Sequence, residues 1–135
     1  CILYVLILPM LSKISSYFGN SLIFIFWCSN LYSSEIQFNI EWCSDNDGQI
    51  EYRTKYGTFV DCMTDDYAVE VEFDFNWKES IGQSLHYAEA TGKKPAILLI
   101  KRSKSNKDYE TELRATINFY DLPITLFTIE EVTSK

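Results

Sequence analysis

The sequence is poor in the residues that most often build metal and nucleophile sites. It has a single histidine, His86, which excludes a site made of several histidines within one chain. The four cysteines, at positions 1, 28, 43 and 62, lack CxxC spacing, which argues against a zinc knuckle. The sequence also has no glycine-rich phosphate loop, GxSxG element or HExxH element, so these enzyme motifs give no indication of function.

Positive charge is also scarce in this chain. It has 12 Lys and Arg residues against 19 Asp and Glu residues, for a net charge of −7. This balance argues against a surface that attracts nucleic acid everywhere, although it permits a local basic strip. With 135 residues, 47% hydrophobic content and 16% aromatics, the chain can form one compact domain.

Residues 1–34 differ from the rest of the chain, because two apolar stretches flank a polar one. If Met10 is the start, Lys13 supplies a positive region and residues 22–28 supply an apolar region. This order is typical of a secretory signal peptide; the alternatives are an uncleaved anchor that contacts the membrane and an ordinary buried helix. We therefore expect residues 35–135 to form the folded domain and to be exported, either to the periplasm or out of the cell.

The expected export bears on the two cysteines that remain. Cys43 and Cys62 are the only cysteines in residues 35–135. An even pair in an exported domain predicts a disulfide. The alternative is a pair of buried free thiols, which are common in protein cores.

Hydrophobic periodicity predicts the order of the elements after residue 35. Alternation from Ile36 to Cys43 would allow a strand there. Two-residue periodicity and apolar runs then predict strands over residues 50–54, 59–64, 67–73, 96–100 and 124–129. Steps of three and four residues predict helices over residues 77–90 and 109–120. Asn76, with Glu79 three residues later, has the spacing of a capping box.

The connections between these elements predict the fold class. The first three strands are joined by short turns, which predict an antiparallel meander. The later strands are separated by helices, which predict parallel pairing. The unbroken apolar run 96–100 is typical of a strand that is covered on both faces. We therefore expect an α/β domain with a central mixed sheet, in which a three-strand meander is flanked by helices.

Three carboxylates occur where a core strand would normally be apolar. Glu70 and Glu72 lie on the same side of one predicted strand, roughly 6.6 Å apart, and Asp61 lies on the strand before. If the strands pair, the three carboxylates converge, and they stay ionised only beside a cation. Oxygen ligands favour Mg²⁺, Mn²⁺ or Ca²⁺, and such an ion can activate water and stabilise charge on a phosphate. The alternative is a solvated sheet face, which the alternation with valines fits equally well.

A longer pattern surrounds these carboxylates. The stretch "RTKYGTFVDCMTDDYAVEVEF", followed by "WKESIGQSLHYAEATGKKPAILLI", resembles the PD-(D/E)XK nuclease superfamily. More narrowly, it is similar to a largely uncharacterised bacterial family of small exported proteins within that superfamily. The resemblance covers about residues 42–129 and implies a restriction-endonuclease-like fold for residues 35–135. It also implies a helix, not a strand, over residues 36–43.

The resemblance implies specific roles for several residues. Asp61 matches the metal-binding aspartate, and Glu70 matches the acidic position of the acidic-x-lysine pair. Glu72 stands where the superfamily has its lysine, so it is either another metal ligand or the mark of a site that no longer cleaves. The remaining implied site residues are Gln83 on the next helix, Glu51 as a further metal ligand, and Lys78 as a displaced lysine. Lys78 and Gln83 are five positions apart, about 140° around a helix, which weakens the role of Lys78.

These observations predict a metal-dependent phosphodiesterase or nuclease that uses Mg²⁺ or Mn²⁺ and acts on nucleic acid. The resemblance also implies a homodimer. One alternative is a catalytically inactive binding module of the cell envelope, which the missing lysine favours. Another is a structural domain whose carboxylates face solvent. Six basic residues surround the predicted strand 96–100 and could hold phosphates: Lys93, Lys94, Lys101, Arg102, Lys104 and Lys107. A pair of solvated loops would explain them equally well.

Overall fold

The computed structural model describes residues 35–131. Three α-helices occupy Glu35–Asp45 (α1), Trp77–Thr91 (α2) and Tyr109–Phe119 (α3). Five strands occupy Gln49–Arg53 (β1), Phe59–Met63 (β2), Tyr67–Phe73 (β3), Lys94–Lys101 (β4) and Thr125–Glu130 (β5). A short 3-10 helix, Asp74–Asn76, connects β3 to α2.

The five strands form one mixed sheet in the order β1-β2-β3-β4-β5. β1 and β3 pair antiparallel to β2, whereas β3, β4 and β5 are mutually parallel. This arrangement confirms the predicted α/β fold with a meander followed by helix-connected strands. Because β3 and β4 are parallel, their carboxyl ends lie at the same edge of the sheet, with Glu72 level with Leu99.

The core consists of two apolar layers, one on each face of the sheet. Strand β4 contributes to both, and its residues from Ala96 to Ile100 are fully buried. Val69, Val71 and Leu98 form part of one layer, which includes side chains of α1. The other layer lies beneath α2 and α3, with these buried residues at its centre: Trp77, Ile97, Leu99, Leu113 and Ile124. The unbroken apolar run therefore marks a central strand, as predicted.

The segment from Ile36 to Cys43 is part of helix α1, as the resemblance implied, and not the strand that alternation would allow. Its apolar residues alternate because two helical faces are both apolar. Phe38 and Trp42, four residues apart, pack on the core, whereas Ile36 and Ile40 are exposed on another face. The alternation thus arises from two offset four-residue repeats.

The observed ends of helix α2 match the sequence-based prediction only in part. Gly92 ends the helix in the left-handed conformation, with φ of 72°, and its N–H donates to the carbonyl of Ala88. Asn76 precedes the helix, but its side chain caps no helical N–H, so the predicted capping box is wrong. The Asn76 amide instead donates to Glu72 at 3.2 Å.

A disulfide joins Cys43 of α1 to Cys62 of β2, with 5.7 Å between the two Cα atoms, which confirms the predicted pairing. Both cysteines are fully buried. Gly48, at the start of the hairpin, packs so closely that an added Cβ would lie 2.5 and 2.6 Å from the two sulfur atoms. The disulfide therefore fixes α1 next to β2, one residue from Asp61.

Several expectations concern residues outside the described part of the chain. The predicted signal peptide, anchor or membrane contact of residues 1–34 falls there. Within residues 35–131, no helix is both long enough and apolar enough to cross a membrane. The expected homodimer stays a prediction.

Candidate functional site

Strands β2 and β3 separate toward the carboxyl end of β3, and this separation opens the candidate site. Their pairing is confined to residues 62–63 of β2 and 68–69 of β3. Further along β3, the backbone N–H of Val71 donates a 2.8 Å hydrogen bond to Oδ2 of Asp61. A carboxylate thus replaces the strand partner at this point. We call the opening between β2 and the carboxyl-terminal half of β3 the fork.

Asp61 and Glu70 bring two carboxyl groups together at the fork. The two carboxyl groups lie close enough for each to shift the pKa of the other. Glu70 is only 3% exposed, and its Oε2 is buried without a hydrogen-bond partner among the described residues. Leaving a buried polar atom unpaired costs about 1–3 kcal/mol, and in native proteins such atoms need a specific explanation.

Glu72 and Glu35 extend this group of acids. Glu72 is 9% exposed, and its Oε1 accepts the backbone N–H of Phe73 at 2.9 Å and the amide of Asn76 at 3.2 Å. Glu35, the first residue of α1, lies near Glu72, whose carboxyl contributes to a raised pKa of Glu35. We call Glu35, Asp61, Glu70 and Glu72 the carboxyl cluster.

Burial and mutual repulsion raise the pKa of three carboxyl groups in the cluster. Burial, followed by the neighbouring Asp61 carboxyl, raises the pKa of Glu70 to about 9. Burial and the charges of Glu72 and Asp61 raise the pKa of Glu35 to about 7. Burial also raises the pKa of Asp61, although the hydrogen bond from Val71 opposes this shift. At neutral pH Glu70 is therefore protonated when no cation is near.

A cavity of about 90 Å³ lies beside the cluster, between α1 and the first strands. Asp61 and Glu35 line it, together with Asn39 and the exposed Glu51. Asn39 donates to the carbonyl of Asp61 at 3.0 Å, and its own Oδ1 is buried without a partner among the described residues. Glu51 has a φ of 51°, a strained conformation for a residue with a side chain. The cavity thus combines unpaired polar groups with local strain.

Helix α2 contributes two side chains next to Glu70. The Tyr87 hydroxyl lies beside the Glu70 carboxyl, and burial and this neighbour raise the pKa of Tyr87. Tyr87 also donates to Oε1 of Gln83 at 3.2 Å. The predicted residue Gln83 is therefore connected to the cluster through Tyr87, which lies one helical turn away and was not singled out from the sequence.

The structure does not bring Lys78 to the carboxyl cluster. Its ammonium lies 5.6 Å from the centre of the Trp77 ring, and its side chain is exposed. Within residues 35–131, none of the four clustered carboxyls forms an ion pair with any Lys or Arg. Lys78 lies about 140° around helix α2 from Gln83, which is connected to the cluster, so Lys78 projects away from the carboxyl groups.

The predicted metal ligands do not form a complete metal centre. In the described part of the chain, no group of three or more His, Cys, Asp or Glu side chains is arranged to hold a metal ion. One oxygen of Glu72 is already hydrogen-bonded, and Glu51 is exposed at the cavity rim. Asp61 and Glu70 remain as a pair of adjacent carboxyls. This smaller set fits Mg²⁺ or Mn²⁺, since Mg²⁺ is commonly held by one or two carboxylates, with waters and substrate phosphates as the other ligands.

The six basic residues around β4 do not form one patch. At the start of β4, Lys93 donates to the carbonyl of Asp65, and the Lys94 ammonium lies 5.8 Å from the centre of the Tyr67 ring. The other four lie at the opposite end, in or next to the loop before α3: Lys101, Arg102, Lys104 and Lys107.

Comparison with known proteins gives a short set of relatives. No family model matches the chain, and no solved structure matches it. The chain is similar to two KilA-N domain-containing proteins of Acanthamoeba polyphaga mimivirus. It is 37% identical to one over 81 residues, which cover 59% of this chain and 22% of the relative. It is 48% identical to the other over 42 residues, which cover 31% of this chain and 11% of the relative. The chain thus spans about a fifth or less of each relative.

These relatives overturn the predicted family. The similar proteins are viral and carry a KilA-N domain, so the assignment to the PD-(D/E)XK superfamily and to a bacterial exported family was wrong. The acidic-x-acidic pattern of Glu70 and Glu72 was weak support, because any strand with one polar face can alternate acids with valines. The roles of the candidate residues therefore rest on the geometry described above.

Proposed function

We propose that the chain is a nucleic-acid-binding domain that holds Mg²⁺ or Mn²⁺ at the carboxyl cluster and hydrolyses phosphodiester bonds. The observation that carries this proposal is the buried oxygen of Glu70 that has no partner among the described residues, next to the Asp61 carboxyl at the fork. Two desolvated carboxyls ionise together only if a cation offsets their repulsion. A divalent ion between them would supply that charge.

The inference of a nucleic acid partner has two supports. Both viral relatives are named for a KilA-N domain, and we infer a nucleic acid partner for this chain from that association. A nucleic acid also provides the phosphate oxygens that complete the coordination of an ion held by only two carboxylates. The net charge of −7 then requires a local, not a general, contact surface.

The residues of the cluster have different roles in this proposal. Asp61 and Glu70 would hold the ion, which when bound supplies an activated water and stabilises charge on the phosphate. Tyr87 lies beside Glu70 and is linked to Gln83, so this pair orients the Glu70 carboxyl. The pKa of Glu35 is raised to about 7, which suits a group that accepts or releases a proton near neutral pH.

One observation favours a second candidate function, which is nucleic acid binding without cleavage. No lysine or arginine forms an ion pair with the carboxyl cluster among the described residues, and Lys78 lies at Trp77 instead. A hydrolytic site without a nearby cationic side chain has less to stabilise the developing charge on the phosphate. In this case the ion would anchor a phosphate and not activate water.

A cleavage assay separates the two functions. The chain is incubated with end-labelled single- and double-stranded DNA and RNA, in Mn²⁺, in Mg²⁺ or in EDTA. Hydrolysis at this site is supported if cleavage needs the ion and is lost in Glu70→Gln. Glu41→Gln is the control and should keep cleavage, because Glu41 is exposed. Ion-dependent binding without cleavage supports the second function. Cleavage that Glu70→Gln leaves unchanged contradicts the assignment of the site.

We also propose that the domain is exported, as the sequence predicts. The buried Cys43–Cys62 disulfide supports this, because disulfides persist in oxidising compartments. Expression with and without residues 1–34, followed by cell fractionation, tests it. Recovery of the full-length chain in the reducing cytosol, with free thiols, would contradict export.

A further inference from the structure

The loop between β4 and α3 carries the densest positive charge in the chain. Residues 101–107, with the sequence KRSKSNK, contain four Lys or Arg residues and no acid, in a chain of net charge −7. The loop follows the carboxyl end of β4, at the edge toward which the fork opens. Arg102 comes three residues after Leu99, the partner of Glu72, which is roughly 10 Å along a strand. The loop and the carboxyl cluster therefore lie at the same edge.

Two of these four charges are already neutralised within the protein. Lys101 pairs with Glu110 and Glu130, each at 3.1 Å, and Arg102 pairs with Asp74 at 2.8 Å. By contrast, Lys104 and Lys107 are exposed and form no ion pair with any residue of 35–131, although the Lys107 ammonium lies 5.8 Å from the centre of the Tyr109 ring. The positive charge that is available to a ligand is therefore concentrated on these two lysines.

Hydrogen bonds give the loop a defined shape. The Ser105 hydroxyl accepts the N–H of Lys107 at 3.2 Å and donates to the carbonyl of Lys107 at 3.1 Å. The Ser105 N–H donates to the carbonyl of Arg102 at 3.2 Å, which closes a turn around Lys104. The backbone carrying both lysines is thus held in place, so less conformational entropy is lost when a ligand binds.

The base of the loop is attached to the segment that follows β3. The buried Asp74 accepts hydrogen bonds from the backbone N–H of Arg102 at 3.4 Å and from its guanidinium at 2.8 Å. A cavity of about 340 Å³ lies beside this attachment, and Lys107, Ser103 and Asn106 are among its lining residues. Asp108 also lines it, but its two oxygens accept hydrogen bonds from the N–H and hydroxyl of Thr111. Glu130 lines it too and pairs with Lys101, so each acid at this surface already has a partner within the protein, whereas the Lys107 ammonium forms no ion pair among residues 35–131.

We propose that Lys104 and Lys107 bind backbone phosphates of the nucleic acid strand that enters the fork. This inference rests on the proposed function. The occupant follows from charge complementarity, because two ammonium groups that form no ion pair among the described residues fit successive anionic groups of a polyanion. Lysine contacts of this kind position a strand without reading its sequence. The pair at the start of β4, Lys93 and Lys94, is excluded because it lies at the opposite end of the strand from the carboxyl end toward which the fork opens.

The dependence of binding on salt tests this proposal. The affinity of the chain for fluorescein-labelled single-stranded DNA is measured by anisotropy at several salt concentrations, in EDTA to prevent cleavage. Each phosphate contact contributes about 0.7 to the slope of log affinity against log salt. The Lys104→Gln/Lys107→Gln variant is expected to lose about 1.4 of that slope. The matched variant Lys93→Gln/Lys94→Gln has the same charge change and is expected to keep the slope of the wild type.

The outcomes separate this proposal from the proposed function. Equal slopes in the two double variants, or no change in either, would overturn the assignment of the phosphates to this loop. Mn²⁺ binding by the same variants is measured by calorimetry, and it is expected to be unchanged, because neither pair of lysines contacts the carboxyl cluster. If the wild-type chain binds no DNA in EDTA, the loop proposal fails, whereas the proposed function fails if the wild-type chain binds no Mn²⁺. If it binds DNA with an unaltered slope in the loop variant, only the loop proposal fails.

Discussion

We expect the chain to lose stability as pH rises above about 5, and replacing Glu70 by Gln is expected to remove the part of that loss that Glu70 causes. Burial and the Asp61 carboxyl raise the pKa of Glu70 to about 9 in the folded chain. In the unfolded chain a glutamate titrates near its ordinary pKa of about 4.3. Between these values the folded state keeps a proton that the unfolded state has lost, so the free energy of unfolding falls as pH rises.

The proton that Glu70 keeps in the folded chain sets the size of the change in the free energy of unfolding. A difference of one bound proton changes the free energy of unfolding by about 1.4 kcal/mol per pH unit. From about pH 5 to pH 7 the wild-type chain therefore loses about 3 kcal/mol through Glu70 alone. The raised pKa values of Asp61 and Glu35 act in the same direction. The Glu70→Gln variant carries no titrating group at this position, so its stability falls less steeply.

Urea unfolding, followed by circular dichroism at several pH values in EDTA, measures this difference. Glu41→Gln is the matched control, because Glu41 is exposed and its partner Gln37 can still donate to the new amide oxygen. The control is expected to parallel the wild type. Parallel curves for Glu70→Gln and wild type across this range would refute the reasoning, because they would mean that Glu70 ionises in the folded chain without cost.

Two further predictions concern the disulfide and the glycine beside it. Reduction of the Cys43–Cys62 bond, which links residues 19 positions apart, is expected to lower the free energy of unfolding by about 3 kcal/mol. The urea midpoint with and without reductant tests this, and a Cys43→Ala/Cys62→Ala variant should not respond to reductant. Gly48→Ala is expected to destabilise the chain by about 1–3 kcal/mol, because the new Cβ would collide with both sulfur atoms. Gly82→Ala, at a helical position with open space, should instead stabilise it by up to about 1 kcal/mol, and destabilisation in both variants would contradict this account.

Most of the fold could be predicted because its strands and helices differ clearly in period. Strand β4 reads as an unbroken apolar run because it is central and covered on both faces. Helix α1 was ambiguous, since Ile36 and Ile40 are apolar although they face outward. The capping box at Asn76 failed for a tertiary reason. Its amide is used by Glu72, a contact that the local spacing to Glu79 does not reveal.

The candidate site was predictable only where it lies on strands. Glu70 and Glu72 were visible because acids interrupt a buried strand, and Asp61 followed from the meander. Glu35 joins them only because α1 packs over the fork, and no sequence pattern connects it to residues so far away. Tyr87 could have been predicted as a site residue, because it lies four residues after Gln83 and therefore on the same face of the helix.

The central claim is that Asp61 and Glu70 form a divalent cation site, and calorimetry of Mn²⁺ binding tests it most directly. Because Glu70 is protonated near neutral pH, binding is expected to release about one proton per ion. Titrations near pH 7 in two buffers of different ionisation enthalpy measure that proton. The account predicts binding with proton release in the wild type and in Glu41→Gln, and loss of both in Glu70→Gln. Absence of binding in the wild type, or equal binding and proton release in Glu70→Gln, would contradict it.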